Sequence, residues 1–319
     1  MRYMGANNWI KYGWGQDYTD EWHLDDDLML DFTNDGFLIA NMLPLAAAHY
    51  TIEKITERCP PPYTLMCSGG IDSQAMIWAW HTSGVPFTVE SVKYISDKVW
   101  YNEHDLCNLV EFSNRHSIQV NFKEFDIIPF LENDLRTVSL ENDCASPQIC
   151  TYISMMSDIV TGTIVFSGNH LVANPAILTN DILGMHRHSV LVDTESRKVI
   201  PFFFLHTPEL SYSFMWNFNP DSGPKQKRFY QDKSVAYEYS CDRYRSMGFP
   251  VINQPEKLTG FEKLKKRYDQ CSNRLSPITK LKYATCPSQR VFDLLFRYPL
   301  EKYPDVKTKG YSIIYKMNK

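Results

Sequence analysis

Apolar and polar positions along the chain follow two different periods. Between residues 37 and 58 apolar side chains recur every three or four positions, which predicts a helix that ends at the run Cys59-Pro60-Pro61-Pro62. Further along the chain, short apolar runs alternate with longer helical patterns. These patterns predict strands over residues 63–67, 87–94, 119–127 and 163–166, and helices over residues 71–83, 100–116 and 147–160.

This alternation indicates the fold class. Consecutive strands that are separated by a whole helix are joined by crossovers, and such crossovers produce a parallel sheet with helices on both faces. We therefore predict an α/β fold of the Rossmann-like kind, built around a parallel sheet.

The pattern also divides the chain into three segments. Residues 1–60 form an aromatic and acidic N-terminal segment with one helix, and residues 61–200 form the α/β domain. Beyond Leu205 polar loops alternate with basic helical stretches such as residues 261–274. We predict that residues 201–319 form a mainly helical, basic C-terminal region.

The composition narrows the class of protein. The chain has 319 residues, of which 44% are hydrophobic and 22% charged, which is typical of a globular protein and not of a disordered or fibrous one. Residues 1–30 lack the pattern of a signal peptide, and no apolar run approaches the ~20 residues of a membrane-spanning helix. We expect a soluble, cytoplasmic protein without a membrane partner.

The eight cysteines include no CxxC pair, which disfavours a zinc ribbon, an iron–sulfur site and a dithiol redox centre. We expect most of them to be reduced thiols. Cys144 and Cys150 could still approach each other in space, and a part for them in chemistry stays open.

Charge is distributed unevenly along the chain, although the formal net charge is only -4. Residues 225–319 hold 21 Lys and Arg against 9 Asp and Glu, whereas residues 1–224 hold 12 Lys and Arg against 28 Asp and Glu. A basic last third indicates an anionic ligand, or a second surface with a different partner.

One segment combines the features of an anion-binding loop. Residues 68–70, which include two glycines, connect a predicted buried strand directly to the predicted helix. The glycines let successive N–H groups turn toward one point, and the N-terminus of the helix adds partial positive charge there. In the first helical turn, Asp72 could supply a carboxylate for Mg²⁺ and Ser73 a hydroxyl for a phosphate oxygen. An acidic residue at a helix start is also expected for capping alone.

The string Ser68-Gly69-Gly70-Ile71-Asp72-Ser73 resembles the SGGxDS signature of the PP-loop ATP pyrophosphatases, a superfamily that includes asparagine synthetase, GMP synthetase and lysidine synthetase. The resemblance implies an adenine-nucleotide α-hydrolase-like fold and an enzyme that uses ATP and Mg²⁺. It also implies that the loop holds the β,γ-pyrophosphate while AMP is transferred to a carboxylate or carbonyl oxygen. A Walker-type GKS/T motif is absent, which disfavours transfer of the γ-phosphate.

The resemblance implies roles for individual residues. Asp72 and Ser73 would act in catalysis, and Ser91 lies at the strand end where relatives bind adenine, mainly through backbone groups. Gly168 follows the fourth predicted strand, where a glycine lets a substrate or the α-phosphate approach the backbone. Contacts with ATP are therefore predicted for Ser68, Gly69, Gly70, Ile71, Asp72, Ser73, Ser91 and Gly168.

Asn169 and His170 are predicted substrate contacts. They stand where asparagine synthetase carries acidic residues, so a second metal carboxylate beside Asp72 would have to come from Asp181. His170 could also be an acid–base group or only a polar loop residue.

Lys225 and Arg228 are the predicted catalytic cations. They follow a turn with two prolines and a glycine, and a mobile basic loop could close over the triphosphate as pyrophosphate leaves. A solvated surface is the alternative for each of these side chains.

The predicted reaction is closest in style to that of the synthetase domain of asparagine synthetase. The N-terminal-nucleophile glutaminase of that class needs a cysteine directly after the initiator methionine, and Arg2 stands there. We therefore predict a C–N ligase without its own glutaminase, which uses ammonia or an amine and a small-molecule carboxylate or carbonyl substrate. The identities of both substrates and the oligomeric state stay open.

Two other functions stay open as well. Residues 261–282 hold seven Lys and Arg against two Asp and Glu, with Phe261 and Tyr268 between them, a pattern also typical of a nucleic-acid surface. The same adenylation chemistry could then modify a nucleobase in tRNA or DNA. Alternatively, the loop binds a nucleotide without turnover, which would agree with Asn169 and His170 in place of acidic residues.

The uneven charge gives one further expectation. An acidic first two-thirds would repel ATP at long range, so the basic last third should supply positive charge at the loop. We predict that Lys225, Lys227, Arg228 and the cluster at residues 263–267 lie close to Ser68 as a basic lid.

Overall fold

The computed structural model describes residues 2–3, 10–14, 28–32, 35–39, 42–141, 147–168, 170, 197–218, 233–254, 256–264 and 313–316. Within these ranges, no helix is long and apolar enough to cross a membrane.

The first described elements are strands. β1 (Arg2–Tyr3), β2 (Ile10–Trp14) and β3 (Leu28–Phe32) form an antiparallel sheet, and β4 (Asp35–Ile39) pairs with a strand at Ile313–Lys316. The predicted helix over residues 37–58 is wrong at its start, because residues 37–39 belong to β4 and α1 spans Pro44–Arg58. Pro44 occupies the first turn, where a proline costs no backbone hydrogen bond, and Leu43 before it is extended.

A mostly parallel sheet forms the centre of the molecule. It comprises β5 (Tyr63–Met66), β6 (Thr88–Ser96), β7 (Val99–Trp100), β8 (Asn121–Asp126), β9 (Gly162–Phe166) and β10 (Arg197–Ile200). The parallel strands lie in the order β10-β9-β5-β6-β8, and β7 is antiparallel to the end of β6. The predicted α/β fold with a parallel sheet is confirmed.

The strand order reverses at β5. From β5 the chain first moves to β6 on one side, and it later returns to β9 on the other side. The two crossovers therefore leave in opposite directions, which opens a crevice at the carboxyl ends of β5 and β9. Open α/β sheets bind their ligands at such a reversal.

The helices cover the sheet. They are α2 (Ile71–Ser83), α3 (Glu103–His116), α4 (Ile127–Pro129), α5 (Leu135–Glu141), α6 (Pro147–Met156), α7 (Pro208–Phe218) and α8 (Lys233–Ser246), with a π-helical stretch at Phe130–Asp134. The predicted helix at residues 71–83 is confirmed with the same bounds. The helical segment from Ile127 to Glu141 was not predicted.

Two apolar cores lie on opposite faces of the sheet because side chains alternate along each strand. In β5, Leu65 belongs to one core and Met66 to the other, and Ile200 and Val199 of β10 divide in the same way. The first core contains α1 and α2, and the second contains α6 with Phe261. Both faces are thus buried, as a parallel sheet requires.

Distant parts of the chain share the first core. Ile52 of α1 lies in it together with Leu210 of α7, Tyr244 of α8 and Phe249. The division into residues 1–60, 61–200 and 201–319 stays a prediction of organisation along the chain, and described residues of all three segments contribute to this core.

Candidate functional site

The predicted anion-binding loop connects β5 to α2 at the reversal of strand order. Gly70 is the residue before the helix and has an extended backbone (φ -65°, ψ 157°). The first N–H groups of α2 have no acceptor within the helix, so they and the helix dipole present positive charge to the crevice. This arrangement is a ready site for an anion.

Gly69 is packed too closely for any side chain. A Cβ atom built on Gly69 would lie 1.4 Å from the carbonyl oxygen of Asp105 in α3. The Gly69 carbonyl oxygen accepts hydrogen bonds from Gln74 Nε2 (2.8 Å) and Gln254 Nε2 (2.5 Å). Two glutamines and one helix therefore hold the backbone of the loop in place.

Three serines form a small hydroxyl cluster beneath the loop. Ser73 Oγ lies 3.2 Å from the Ser68 amide nitrogen, which donates to it, and 3.3 Å from Ser68 Oγ. It is also 3.4 Å from Ser167 Oγ, at the end of β9. Ser73 is buried, and its hydroxyl links the two strand ends that border the crevice.

Asp72 is held by two aromatic partners. Tyr244 donates its hydroxyl proton to Asp72 Oδ1, and His170 Nδ1 lies 3.3 Å from the same oxygen and 2.9 Å from the Tyr244 hydroxyl. Because that hydroxyl has one proton, an Nδ1–H on His170 serves as the donor to Tyr244. Burial alone would raise the pKa of Asp72, but the hydrogen bond and charge of His170, with the charge of Lys257, bring it below its usual value.

His170 stands inside an aromatic group. Its ring centre is 4.2 Å from that of Phe218 and 5.3 Å from that of Phe214. Its Nε2 atom is buried and has no hydrogen-bond partner among the described residues. The structure thus places His170 against Asp72, and its contact with a substrate stays a prediction.

Lys257 supplies positive charge at the mouth of the loop. A Cβ atom built on Gly70 would lie 3.8 Å from Lys257 Cε and 3.9 Å from Lys257 Nζ. The ammonium group also acts electrostatically on Asp72 and Asp105. A flexible cation from the C-terminal region therefore lies on the open side of the anion-binding loop.

A pocket opens beside the loop, at the carboxyl ends of β5 and β6. It has about 370 Å³ of space, including the part that is open to solvent. Its lining includes Ser68, Gly69, Ser91, Lys257 and Thr259. Ser91 is buried and donates to the Cys67 carbonyl oxygen at 2.7 Å, so the structure places this predicted residue in the pocket wall.

Gly168 has a packing requirement of its own. Its φ of +62° is one that residues with a side chain rarely adopt. A Cβ atom there would lie 2.3 Å from the ring of Phe202. Packing against Phe202 therefore accounts for a glycine here, and the approach of a substrate or the α-phosphate to its backbone stays a prediction.

Several predicted residues lie outside the described residues. These are the predicted catalytic cations Lys225 and Arg228, the lid residue Lys227, the substrate residue Asn169 and the metal residue Asp181. Cys144 also lies outside them, whereas Cys150 is buried. Of the basic cluster at 263–267, only residues 263–264 are described, and Lys263 is exposed.

Sequence reasoning missed the residues that support the loop. Gln74 directly follows the motif, so its position was a usable signal. Tyr244, Gln254 and Lys257 belong to a segment without any recognisable motif, and Asp105 lies in an ordinary amphipathic helix. Their part in the site depends on tertiary contacts.

The residues present fit Mg²⁺ only together with a phosphate ligand. Within the described ranges no three His, Cys, Asp or Glu side chains converge as a metal site. Mg²⁺ is commonly held by one or two carboxylates plus substrate phosphates, and Asp72 beside the loop provides one carboxylate.

Thirty solved protein chains match this chain in structure. The fold is similar to that of an NH3-dependent NAD synthetase from Campylobacter jejuni, solved in complex with the nitrate ion, with a TM-score of 0.34 and 12% sequence identity. The match covers 73% of this chain and 94% of that chain. No protein-family model and no curated protein matches the sequence. At this score and identity the neighbour gives no information on the reaction.

Proposed function

We propose that the protein is a PP-loop ATP pyrophosphatase that joins an acyl or carbonyl substrate to ammonia or an amine. The observation that carries the proposal is the geometry of residues 68–73, where β5 leads through two glycines into the N-terminus of α2, with Asp72 in the first helical turn and Lys257 near Gly70. This geometry suits an anion-binding loop. Each group suits a polyphosphate. The amides at the helix N-terminus can bind phosphate oxygens, the lysine can offset negative charge, and the carboxylate can bind the metal ion.

The first step transfers AMP. A carboxylate or carbonyl oxygen of the substrate attacks the α-phosphorus of ATP, and the bond to the β-phosphate oxygen breaks, so that pyrophosphate leaves. Negative charge develops on the leaving group, where the amides at the start of α2 and the Lys257 ammonium can stabilise it. Asp72 would hold the Mg²⁺ that ATP brings, which shields the phosphate oxygens.

The second step forms the amide-type product. Ammonia or an amine attacks the adenylated carbon, AMP leaves with the bonding electrons, and the nitrogen loses a proton. The identity of the acceptor depends on residues that line the remainder of the crevice, which include the predicted substrate contacts Asn169 and His170.

Product analysis tests this proposal. The full chain is incubated with ATP, Mg²⁺ and a panel of carboxylates with ammonium, and the nucleotide and phosphate products are separated. We expect AMP and pyrophosphate in equal amounts, and we expect Asp72→Asn to lower the rate by at least about 100-fold. Asp158→Asn, a change at an exposed carboxylate away from the loop, serves as the matched control.

Two results would count against the proposal. Release of ADP and orthophosphate would show γ-phosphate transfer. Tight binding of ATP without pyrophosphate release, for every substrate and with both Mg²⁺ and Mn²⁺, would indicate a nucleotide-binding module, a function that would agree with the engagement of Asp72 by Tyr244 and His170.

A further inference from the structure

Asp105 has a feature that its structural role does not explain. The residue is only 2% exposed, in the first turn of α3. Its Oδ1 atom accepts a hydrogen bond from the Leu258 amide at 3.0 Å. Its Oδ2 atom is buried and has no hydrogen-bond partner among the described residues. A buried carboxylate oxygen without a donor is costly, so such an atom calls for a ligand or a function.

The surroundings of Asp105 indicate which ligand. The residue lines the pocket beside the anion-binding loop, together with the buried Ser91. Its backbone carbonyl oxygen packs against Gly69, so the first turn of α3 is in contact with the loop. Lys257, which also lines the pocket, is exposed and can change its side-chain conformation.

Charge excludes two kinds of ligand group at this position. A carboxylate repels phosphate oxygens, so the phosphates belong at the open side of Gly70 and not at Asp105. The nearby Lys257 ammonium acts on Asp105 and disfavours a second cation there. An uncharged N–H or O–H donor on the part of ATP that enters the pocket meets neither objection.

We infer that Asp105 recognises the nucleoside part of ATP, with Oδ2 accepting a hydrogen bond from the adenine amino group or from a ribose hydroxyl. The inference rests on the proposed function and adds a specificity-determining residue to it. Burial raises the pKa of Asp105, and the hydrogen bond from the Leu258 amide and the charge of Lys257 offset this rise only in part. A hydrogen-bond donor on the ligand would therefore stabilise the buried carboxylate.

Four nucleotides identify the donor. The full chain and its Asp105→Asn variant are titrated calorimetrically with ATP, ITP, 2′-deoxy-ATP and 3′-deoxy-ATP. In Asp105→Asn, the side-chain oxygen can still accept a hydrogen bond from the backbone N–H of Leu258. The side-chain NH₂ group then takes the place of Oδ2. ITP has an acceptor where ATP has its amino group, and each deoxy compound lacks one hydroxyl.

We expect the wild-type protein to bind ATP at least about tenfold more tightly than one of the three analogues, because a hydrogen bond to a charged group is lost. Asp105→Asn should abolish that one preference and leave the other two ratios unchanged. If the donor is the amino group, the variant should also gain affinity for ITP. Asp158→Asn should keep all ratios of the wild type.

The outcomes separate this inference from the proposed function. If Asp105→Asn binds ATP and keeps the wild-type ratios of affinity among the four nucleotides, the inference is overturned and the proposed function stands. Absence of ATP binding in the wild type contradicts both. If the variant melts well below the wild type, the wild-type ratios alone decide, because equal affinity for the four nucleotides also overturns the inference.

Discussion

Gly69 and Gly70 are neighbours in the loop, but the structure surrounds them differently. The space for a side chain at Gly69 is filled by the Asp105 carbonyl group, 1.4 Å from a built Cβ atom. At Gly70 the nearest atoms are 3.4 Å or more away, and they include the flexible end of Lys257. The packing therefore requires a glycine at position 69, whereas Gly70 faces the more open side of the loop near Lys257.

Alanine at the two positions should separate folding from binding. Gly69→Ala must push α3 away from the loop, and we expect a loss of about 1–3 kcal/mol in the free energy of unfolding. Gly70→Ala should unfold within about 0.5 kcal/mol of the wild type yet bind ATP at least about tenfold more weakly, because the methyl group intrudes on the phosphate site. Urea unfolding and calorimetric titration measure the two effects. Equal effects of both changes on stability would contradict this assignment.

Lys257 allows a second prediction at the residue scale. The side chain is exposed and lies 3.9 Å from the built Gly70 Cβ atom, so it can be changed without loss of packing. Lys257→Met should lower the rate of pyrophosphate release by about 100-fold, because positive charge at the leaving group is lost, and should leave the melting temperature unchanged. Lys263→Met removes an exposed lysine of the same segment and should retain full activity. Similar rates for the two variants would show that Lys257 has no such role.

At the scale of elements, one segment joins the loop to the C-terminal region. Gln74 of α2 donates to the Gly69 carbonyl oxygen, and its side-chain oxygen accepts from the Ile252 amide at 2.7 Å. Gln254, two residues further on, also donates to Gly69. Buried hydrogen bonds thus connect residues 252–254 to the loop, so changes in this segment should alter the proposed phosphate site.

Gln74→Met tests this connection. The change keeps the size of the side chain but leaves the Ile252 amide buried without an acceptor, which should cost about 1–3 kcal/mol in the free energy of unfolding. Faster hydrogen exchange of the amides at residues 69 and 252 should accompany the loss. Gln119→Met, at an exposed position, should change neither quantity. Normal protection of both amides in Gln74→Met would contradict the connection.

At the scale of the whole molecule, pH should affect stability through a buried histidine. His206 lies in the turn before α7, 3% exposed, and neither ring nitrogen has a hydrogen-bond partner among the described residues. Burial lowers the pKa of His206 from 6.5 to about 3. The unfolded chain therefore binds a proton below about pH 6.5 that the folded protein does not accept.

The sign of the effect follows from that difference. This contribution is fully present above pH 6.5 and is lost as the pH falls toward 3, at about 1.4 kcal/mol per pH unit. Between pH 6.5 and 5 the wild type should lose about 2 kcal/mol more than His206→Asn, as urea unfolding at several pH values would show. His81→Asn, at an exposed histidine, should keep the pH dependence of the wild type. A wild-type slope in His206→Asn would contradict the assignment.

Sequence periodicity was enough to predict the α/β class and the bounds of α2, because each depends on local spacing of apolar residues. It failed at residues 37–39, which belong to a strand, and did not predict the helical segment from Ile127 to Glu141. In the first case Asp35–Ile39 pairs with Ile313–Lys316, a partner nearly 280 positions away. Pairing over that distance overrides local preference, and no local pattern records it.

The same division holds for the candidate site. The sequence alone determined the position of the loop at residues 68–73, since two glycines between a buried strand and a helix let successive N–H groups turn toward one point. Only the tertiary structure decided that Tyr244 and His170 hold Asp72, that Lys257 lies over Gly70, and that Asp105 enters the pocket wall. The physical reason is that backbone geometry is encoded by neighbouring residues, whereas charge and hydrogen-bond complementarity at a strand-order reversal depends on residues that the fold brings together.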